Sequence, residues 1–221
     1  MYNARITGLG KFLPDNVVTN ETLSKLMDTS HDWIVERTGI HERRFVPKHS
    51  DEGTATMGVK AAEQAIERAG ISKDDIELIV FATLSPDYYF PGSGVLLQDL
   101  MGIGTCPALD VRNQCSGFVY GLSVADQFIR TGMYKHVLVV GSEYHSGGLD
   151  LTTRGRTVSV IFGDGAGAAV VSRSSEANTG ILSTHLHSEG KHAKELSIIG
   201  PNTKKCSHEV VENYDPDDRD Y

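Results

Sequence analysis

The sequence contains little cysteine, a single tryptophan and no long hydrophobic run. Its three cysteines, at positions 106, 115 and 206, are widely spaced and form no CxxC pair. This spacing argues against a disulfide framework and against a zinc site, so we expect free thiols and no metal. No apolar stretch approaches the length of a membrane span, and the N-terminal MYNARITGLG lacks the features of a secretory signal. We therefore expect a cytoplasmic protein with no membrane association.

Basic residues are fewer than acidic ones: the chain has 21 lysines and arginines and 29 aspartates and glutamates, which gives a net charge of -8. This balance argues against nonspecific binding to nucleic acid. Much of the acidity lies in residues 207–221, where we expect a solvated loop rather than a binding site. The hydrophobic content of 39% is ordinary for a soluble globular protein.

Strand and helix patterns alternate along most of the chain, which predicts an α/β fold with a mainly parallel sheet and helices on both faces. Residues 54–69 predict a helix, because Met57 and Ala61 belong to a helical repeat that stops at Gly70. The run IELIVFATL predicts a strand that is buried on both faces. The other predicted strands are ARITGLG, PALDV and HVLVVGSE, and the other predicted helices are TNETLSKLMDTS, SGVLLQDLMG and SGFVYGLSVADQFIRTG.

From Thr157 the pattern changes, and TVSVIFGDGAGAAVVSRS predicts a β-hairpin with a glycine-rich turn. The GDGAGA segment resembles a phosphate cradle, but a dinucleotide fingerprint needs a helix after the glycines and AAVVSR favours a strand. We therefore do not expect phosphate there. A domain boundary is predicted within residues 173–180.

Three histidines are weaker candidates for a site. His185 and His187 would share one face of a predicted strand, a spacing that permits a metal but that a solvated strand face explains more simply. His145 follows the strand HVLVVGSE, close to where active sites gather in such sheets.

Cys115 stands between a short predicted strand and a long apolar helix that begins at about Ser116. The free N–H groups and the positive end of the helix dipole favour a thiolate, and such placement can lower a thiol pKa from about 8.5 to near 7 or below. Because most of the helix surface is apolar, we expect the helix to be buried and Cys115 to lie at the floor of a pocket. The alternative is a small buried hydrophobe, the commonest role of a free cysteine. These residues alone do not choose between the two hypotheses.

Several motifs in order carry a resemblance to a known family. They are NQCSGFVYGLSVADQFIRTG, HVLVVGSE, IFGDGAGAAVV, DWIVERTGIHERR, FATLSP, FPGSG and GILSTHLHSEG. Over residues 2–190 the chain resembles the β-ketoacyl-[acyl-carrier-protein] synthase III family, the condensing enzymes that initiate bacterial fatty-acid synthesis. The resemblance implies a thiolase-like fold, with its N-terminal half complete in residues 1–174 and its C-terminal half only begun in residues 175–221.

The resemblance also implies an activity. Cys115 would take an acyl group, most simply acetyl, from acyl-coenzyme A, and the acyl-enzyme would condense with malonyl-acyl-carrier protein to give 3-oxoacyl-carrier protein, coenzyme A and CO2. A thiolate suits this chemistry because it is both a good nucleophile and a good leaving group. Acyl-coenzyme A is then a substrate, no tightly bound cofactor is expected, and the family implies a homodimer.

Residues for coenzyme A are carried over from the same motifs. Trp33 and Arg156 fall where the family stacks the adenine, and Arg37 and Thr38 are further contacts near the nucleotide. Arg154 is a rival to Arg156, because TTRGRT offers two arginines.

The acyl pocket and the carrier protein are implied in the same way. Phe90 falls where the family uses a residue of the neighbouring subunit to shape the acyl pocket, and its bulk should favour short starters. A related condensing enzyme of secondary metabolism with another starter would share most of these motifs. Arg43 and Arg44 are candidates for a basic patch that receives the acidic carrier protein.

One departure from the family is large. The histidine and the asparagine with which the family polarises the malonyl thioester lie in its second half, and their motifs are absent here. We expect a fragment, a nicked product or one of two chains. The alternative function is a non-condensing interaction module that dimerises and at most acylates itself.

Overall fold

The computed structural model describes residues 2–197, which divide into a first unit, residues 2–184, and the described part of a second unit, residues 185–197. The first unit contains every strand and α-helix described below. The described part of the second unit, residues 185–197, holds one short 3-10 turn, Gly190–His192. No strand forms at His185 or His187, so the predicted strand there is wrong. Cys206 and the acidic run 207–221 lie outside the described residues.

The described residues form seven strands: β1 Asn3–Phe12, β2 Val17–Thr19, β3 Glu42–Arg44, β4 Leu78–Ala82, β5 Ala108–Val111, β6 His136–Glu143 and β7 Gly165–Ser174. Five of them form the central sheet, in the order β1-β7-β6-β4-β5. Strand β4 pairs in parallel with β5 and β6, whereas β7 pairs antiparallel with β6 and β1. Four strands therefore run in one direction and β7 alone opposes them, which confirms the predicted sheet. Strands β2 and β3 form a separate two-stranded antiparallel sheet.

Helices cover both faces of the sheet, as the sequence predicts. The helices are α1 Asn20–Ser24, α2 His31–Thr38, α3 Thr54–Ala69, α4 Gly94–Met101, α5 Gly117–Arg130 and α6 Arg156–Ser159. Helices α3 and α4 lie on one face of the sheet and α5 lies on the other, whereas α1 and α2 pack with β2 and β3. Helix α3 has the predicted bounds, and it ends at Gly70 with a φ of 68° that favours glycine. Within residues 2–197 no helix is both long and apolar enough to cross a membrane.

Helix α3 packs on β1 and β7 through small side chains. A Cβ added to Gly10 would lie 1.9 Å from the Ala61 carbonyl oxygen, and one on Gly8 would lie 2.0 Å from that of Ala65. The helix backbone therefore approaches the strand more closely than any side chain on these glycines allows. This contact fixes one layer of the core.

The predicted hairpin at residues 157–174 is wrong. Its first part forms α6, and its second part is the single strand β7, which pairs along its length with β1 and β6. Val160 is buried in an apolar cluster with residues of α1, of α2 and of the β2–β3 sheet. The Ser159 hydroxyl donates to the Asp150 carbonyl at 2.7 Å. These tertiary contacts outweigh the strand preference of Thr157 and Val158.

The prediction that α5 is buried holds for most of the helix but not for all of it, because Val119 and Gln127 are exposed. Ala125 and Ile129 are fully buried against Val80 and Val139 of the sheet. On another side of the helix, Val119 is 49% exposed. A single sheet covers only one face of a helix, so α5 is amphipathic here rather than buried all round.

Candidate active site

Cys115 lies at the carboxyl end of the parallel strands. Its 3-10 turn, Gln114–Ser116, joins the end of β5 to the start of α5. A Cβ on Gly117 would lie 3.2 Å from the Ala82 side chain at the end of β4, so the start of α5 rests on the sheet. Open α/β sheets bind their ligands at this edge. The fold therefore places the predicted nucleophile where such sites form.

The side chain of Cys115 is exposed, which contradicts the expectation that it lies at the floor of a pocket. Cys115 is exposed because α5 is only partly covered and the described residues do not enclose the start of the helix. The second described cysteine, Cys106, is partly buried, and burial raises the pKa of its thiol. The place of Cys115 directly before a long helix is what favours a nucleophile over a small buried hydrophobe.

A cavity of about 570 Å³ lies elsewhere. It is lined by the first turn of α3, by α4 and by residues 85–88, and neither Cys115 nor Trp33 contributes to it. We attach no catalytic role to this cavity, because none of the predicted site residues lines it.

Two guanidinium groups lie over the ring of Trp33. The Arg37 Cζ is 4.5 Å from the ring centroid and the Arg156 Cζ is 5.2 Å from it. Trp33 is held on α2, whose N-cap Ser30 hydroxyl accepts the Trp33 N–H at 3.1 Å. Arg156 donates to the carbonyl of Asp28. A planar ring flanked by positive charge suits an adenine nucleotide, whose base stacks and whose phosphates are anionic.

The structure separates the two rival arginines. Arg154 extends into solvent and donates to the Asp150 carboxylate at 2.6 Å, away from Trp33. Hydrogen bonds from the Thr152 hydroxyl and then from Arg154 lower the pKa of Asp150 to about 2. Only Arg156 of the pair reaches the indole ring within the described contacts.

Thr38 and Phe90 occupy very different positions. The Thr38 hydroxyl donates to the Ile34 carbonyl at 2.7 Å and accepts the Ile40 N–H at 3.1 Å, so it is engaged at the end of α2. Phe90 is 86% exposed in the loop between β4 and α4. Their contacts with coenzyme A and with the acyl group remain predictions.

The prediction that Arg43 belongs to a surface patch that receives a carrier protein is wrong. Its side chain is buried and donates to the carbonyls of Val18 and Val160 and to the Asn20 side chain. Burial also lowers the pKa of its guanidinium. Arg43 thus joins the β2–β3 sheet to the segment after α6. Arg44, in contrast, is partly exposed.

Two carboxylates that the sequence analysis did not single out organise the loops at this edge. Asp164 accepts the backbone N–H groups of Val46, His145 and Ser146 at 2.7 to 2.8 Å. Glu143 accepts the N–H groups of Leu84 and Ser85, which follow β4. The sequence feature that could have indicated these two residues is their position, since Asp164 directly precedes β7 and Glu143 ends β6. His145 has its Nε2 3.3 Å from Glu143 and packs edge-on against Phe162.

Comparisons with known proteins show similarity to one family. The family model for 3-oxoacyl-[acyl-carrier-protein (ACP)] synthase III matches residues 109–190. The β-ketoacyl-[acyl-carrier-protein] synthase III of Aliivibrio fischeri is 50% identical over 204 residues, which cover 92% of this chain and 62% of that protein. The enzyme of Escherichia coli K12 is 48% identical over 205 residues, with 93% and 62% covered. The chain thus spans about 62% of the length of these relatives.

Solved structures give the same result for the fold. The synthase III of Thermus thermophilus superposes with a TM-score of 0.81 at 36% identity, over 89% of this chain and 60% of that one. The synthase III of Pseudomonas aeruginosa gives a TM-score of 0.81 at 30% identity, over 95% and 65%. The sheet, the helices on its two faces and the cysteine before α5 therefore define a thiolase-like condensing-enzyme fold. Within that class, the chain is similar to the β-ketoacyl-[acyl-carrier-protein] synthase III family.

Proposed function

We propose that this chain provides the acyl-accepting part of a β-ketoacyl-[acyl-carrier-protein] synthase III. The Cys115 thiolate attacks the thioester carbonyl of an acyl-coenzyme A, an S–C bond forms to Cys115, and coenzyme A leaves as its thiolate and takes up a proton. The observation that carries this proposal is the position of Cys115 between β5 and α5, at the carboxyl edge of the sheet. Backbone N–H groups at the start of α5 supply donors for the negative oxygen of the tetrahedral intermediate.

The second half-reaction would be condensation. Decarboxylation of malonyl-acyl-carrier protein gives a carbanion that attacks the acyl-Cys115 carbonyl, which releases 3-oxoacyl-carrier protein and CO2 and restores the thiolate. By the family resemblance, the histidine and the asparagine that assist this step belong to the part of the relatives that this chain does not span. We therefore assign to this chain the acylation chemistry and not, alone, the condensation.

Coenzyme A would bind through its adenine end at Trp33, Arg37, Thr38 and Arg156. Stacked groups contact at about 3.5 to 4.0 Å, so a purine between an indole and a guanidinium needs about 7 Å. The Arg156 Cζ lies 5.2 Å from the Trp33 centroid, so Arg156 must move by about 2 Å to admit the base. Acyl-coenzyme A enters as a substrate, and we propose no tightly bound cofactor.

The remaining assignments concern assembly and place. We propose a cytoplasmic homodimer in which Phe90 of each subunit shapes the acyl pocket of the other, with acetyl as the starter. The support is that Phe90 and the neighbouring Tyr89 are 86% and 68% exposed, which leaves them free for contact with a second subunit.

Acetyl transfer to the isolated protein tests the proposal. After incubation of the folded chain with acetyl-coenzyme A, intact mass spectrometry should show a gain of one acetyl group. Cys115→Ser should abolish the gain, and the matched Cys106→Ser should retain it. Acetylation that persists in Cys115→Ser, or that never occurs in the unaltered folded chain, would refute the assignment.

A further inference from the structure

Three consecutive aromatic side chains project from the loop between β4 and α4. Tyr88, Tyr89 and Phe90 are 59%, 68% and 86% exposed. Burial of their own side chains therefore does little to fix this loop, and a loop with so few apolar contacts is ordinarily mobile. Apart from the Arg112 guanidinium, whose Cζ lies 5.1 Å from the Tyr89 ring centroid, its position depends on what holds its two ends, at Asp87 and Ser93.

The two ends of the loop are joined to each other and to α3. The Ser93 side chain is fully buried, its hydroxyl donates to the Asp87 carboxylate at 2.7 Å and it accepts the Asp87 N–H at 3.2 Å. The same carboxylate accepts the Ala55 N–H at 2.9 Å, in the first turn of α3. The loop is thus closed at its base and tied to a helix that is packed tightly on the sheet.

A second carboxylate ties the loop to the sheet edge. Asp110 of β5 accepts the N–H groups of Ser93 at 2.7 Å and Gly94 at 2.9 Å. A Cβ on Gly92 or Gly94 would lie only 2.3 or 2.4 Å from an Asp110 oxygen, so glycine is required for this approach. Burial raises the pKa of Asp110, a cost that the two backbone donors partly offset.

We propose that Asp87, Ser93 and Asp110, here called the loop clamp, are positioning residues that fix Phe90 and so set the length of the acyl starter. This inference rests on the proposed function, in which Phe90 shapes the acyl pocket of a second subunit. The clamp residues touch no substrate in this account. They act by holding one bulky side chain at a defined place, because a displaced Phe90 leaves room for additional methylene groups.

The size of the effect follows from the contacts. A pocket that distinguishes one methylene group gives about ten-fold to two-hundred-fold discrimination. Loss of one hydrogen bond to a charged group corresponds to roughly ten-fold in an equilibrium. We therefore expect Ser93→Ala to reduce the preference for acetyl-coenzyme A over hexanoyl-coenzyme A by about ten-fold, toward that of Phe90→Ala.

The experiment measures acylation of Cys115 in the full chain from each of the two thioesters, by intact mass, and takes the ratio of the rates. Ser93→Ala and Asp110→Asn are the clamp variants, and Phe90→Ala is the reference. Asp99→Asn is the matched control, because Asp99 is an exposed residue of α4 that carries the same charge and has no described bond to the loop. Chymotrypsin cleavage after Tyr88 and Tyr89 provides a second measurement, which should accelerate in the clamp variants only.

The inference is supported if both clamp variants shift the ratio in the same direction as Phe90→Ala while Asp99→Asn does not. It is overturned if Phe90→Ala shifts the ratio and both clamp variants keep it, or if they slow both thioesters equally. If Phe90→Ala leaves the ratio of the two acylation rates unchanged, the inference about the loop clamp is also overturned. The proposed acetylation of Cys115 is not affected by that result. An unaltered chain that accepts neither acyl group instead refutes the proposed function, and the inference with it.

Discussion

Replacement of Arg156 by alanine should weaken binding of coenzyme A by about ten-fold. Arg156 contributes one of the two guanidinium groups over Trp33, and its side chain is 34% exposed. A cation–π contact contributes about 0.5 to 1 kcal/mol at an exposed site and about 2 kcal/mol when desolvated. The partial burial places Arg156 between these limits, at about 1 to 1.5 kcal/mol, which corresponds to roughly ten-fold in Kd.

Trp33 makes the assay direct, because it is the only tryptophan of the chain. Its fluorescence should change when coenzyme A binds, and it should also differ between Arg156→Ala and the unaltered chain before ligand is added. Titration calorimetry then gives the affinity. Pantetheine, which lacks the nucleotide, should bind equally to both proteins, since the loss is confined to the adenine end.

Arg154→Ala is the matched control, because this arginine pairs with Asp150 in solvent and makes no described contact with Trp33. It should leave the affinity for coenzyme A unchanged. Equal weakening by Arg154→Ala and Arg156→Ala, or an unchanged affinity in Arg156→Ala, would refute the nucleotide site. Trp33→Ala, followed by calorimetry, should also cost about 1 to 2 kcal/mol while the thiol stays reactive.

Two further predictions concern the thiols and the packing of the sheet. Iodoacetamide near neutral pH should alkylate Cys115 before Cys106 and Cys206, because Cys106 is partly buried and its raised pKa leaves less thiolate; peptide mapping that finds Cys115 unmodified and unacylated would contradict this. Gly10→Ala should lower the free energy of unfolding by about 1 to 3 kcal/mol, because its Cβ would meet the backbone of α3. Gly104→Ala is the control, because a Cβ added at Gly104 would meet no other part of the structure within 4 Å. Equal melting temperatures of the two variants would argue against the close contact at Gly10.

The sequence predicted the elements whose pattern is local. Helix α3 follows from a long amphipathic repeat that ends at a glycine, and β4 follows from a continuous apolar run between two layers. It misplaced residues 157–160, because a short β-branched run carries no information about the cluster that Val160 joins. It also overestimated the burial of α5, since composition does not show how many layers the described chain supplies.

The candidate site was predictable only in part. Cys115 could be proposed from its place before a helix, but its exposure could not, because exposure depends on what covers α5. Trp33 and Arg156 are far apart in sequence, and only the family resemblance paired them before the structure placed them 5.2 Å apart. The loop clamp was not foreseen, since Asp87, Ser93 and Asp110 are ordinary turn and strand-end residues until hydrogen bonds join them.

The fate of acetyl-Cys115 tests the central claim most directly. The folded chain is acetylated with labelled acetyl-coenzyme A and is then mixed with malonyl-acyl-carrier protein, with and without the C-terminal portion of a synthase III relative. The account predicts that label stays on Cys115 in the chain alone, because a missing donor for the developing charge typically costs about a hundred-fold to a thousand-fold. Label should pass to 3-oxoacyl-carrier protein only when that portion is present. Rapid condensation by the verified chain alone, or no label on Cys115, would contradict the account.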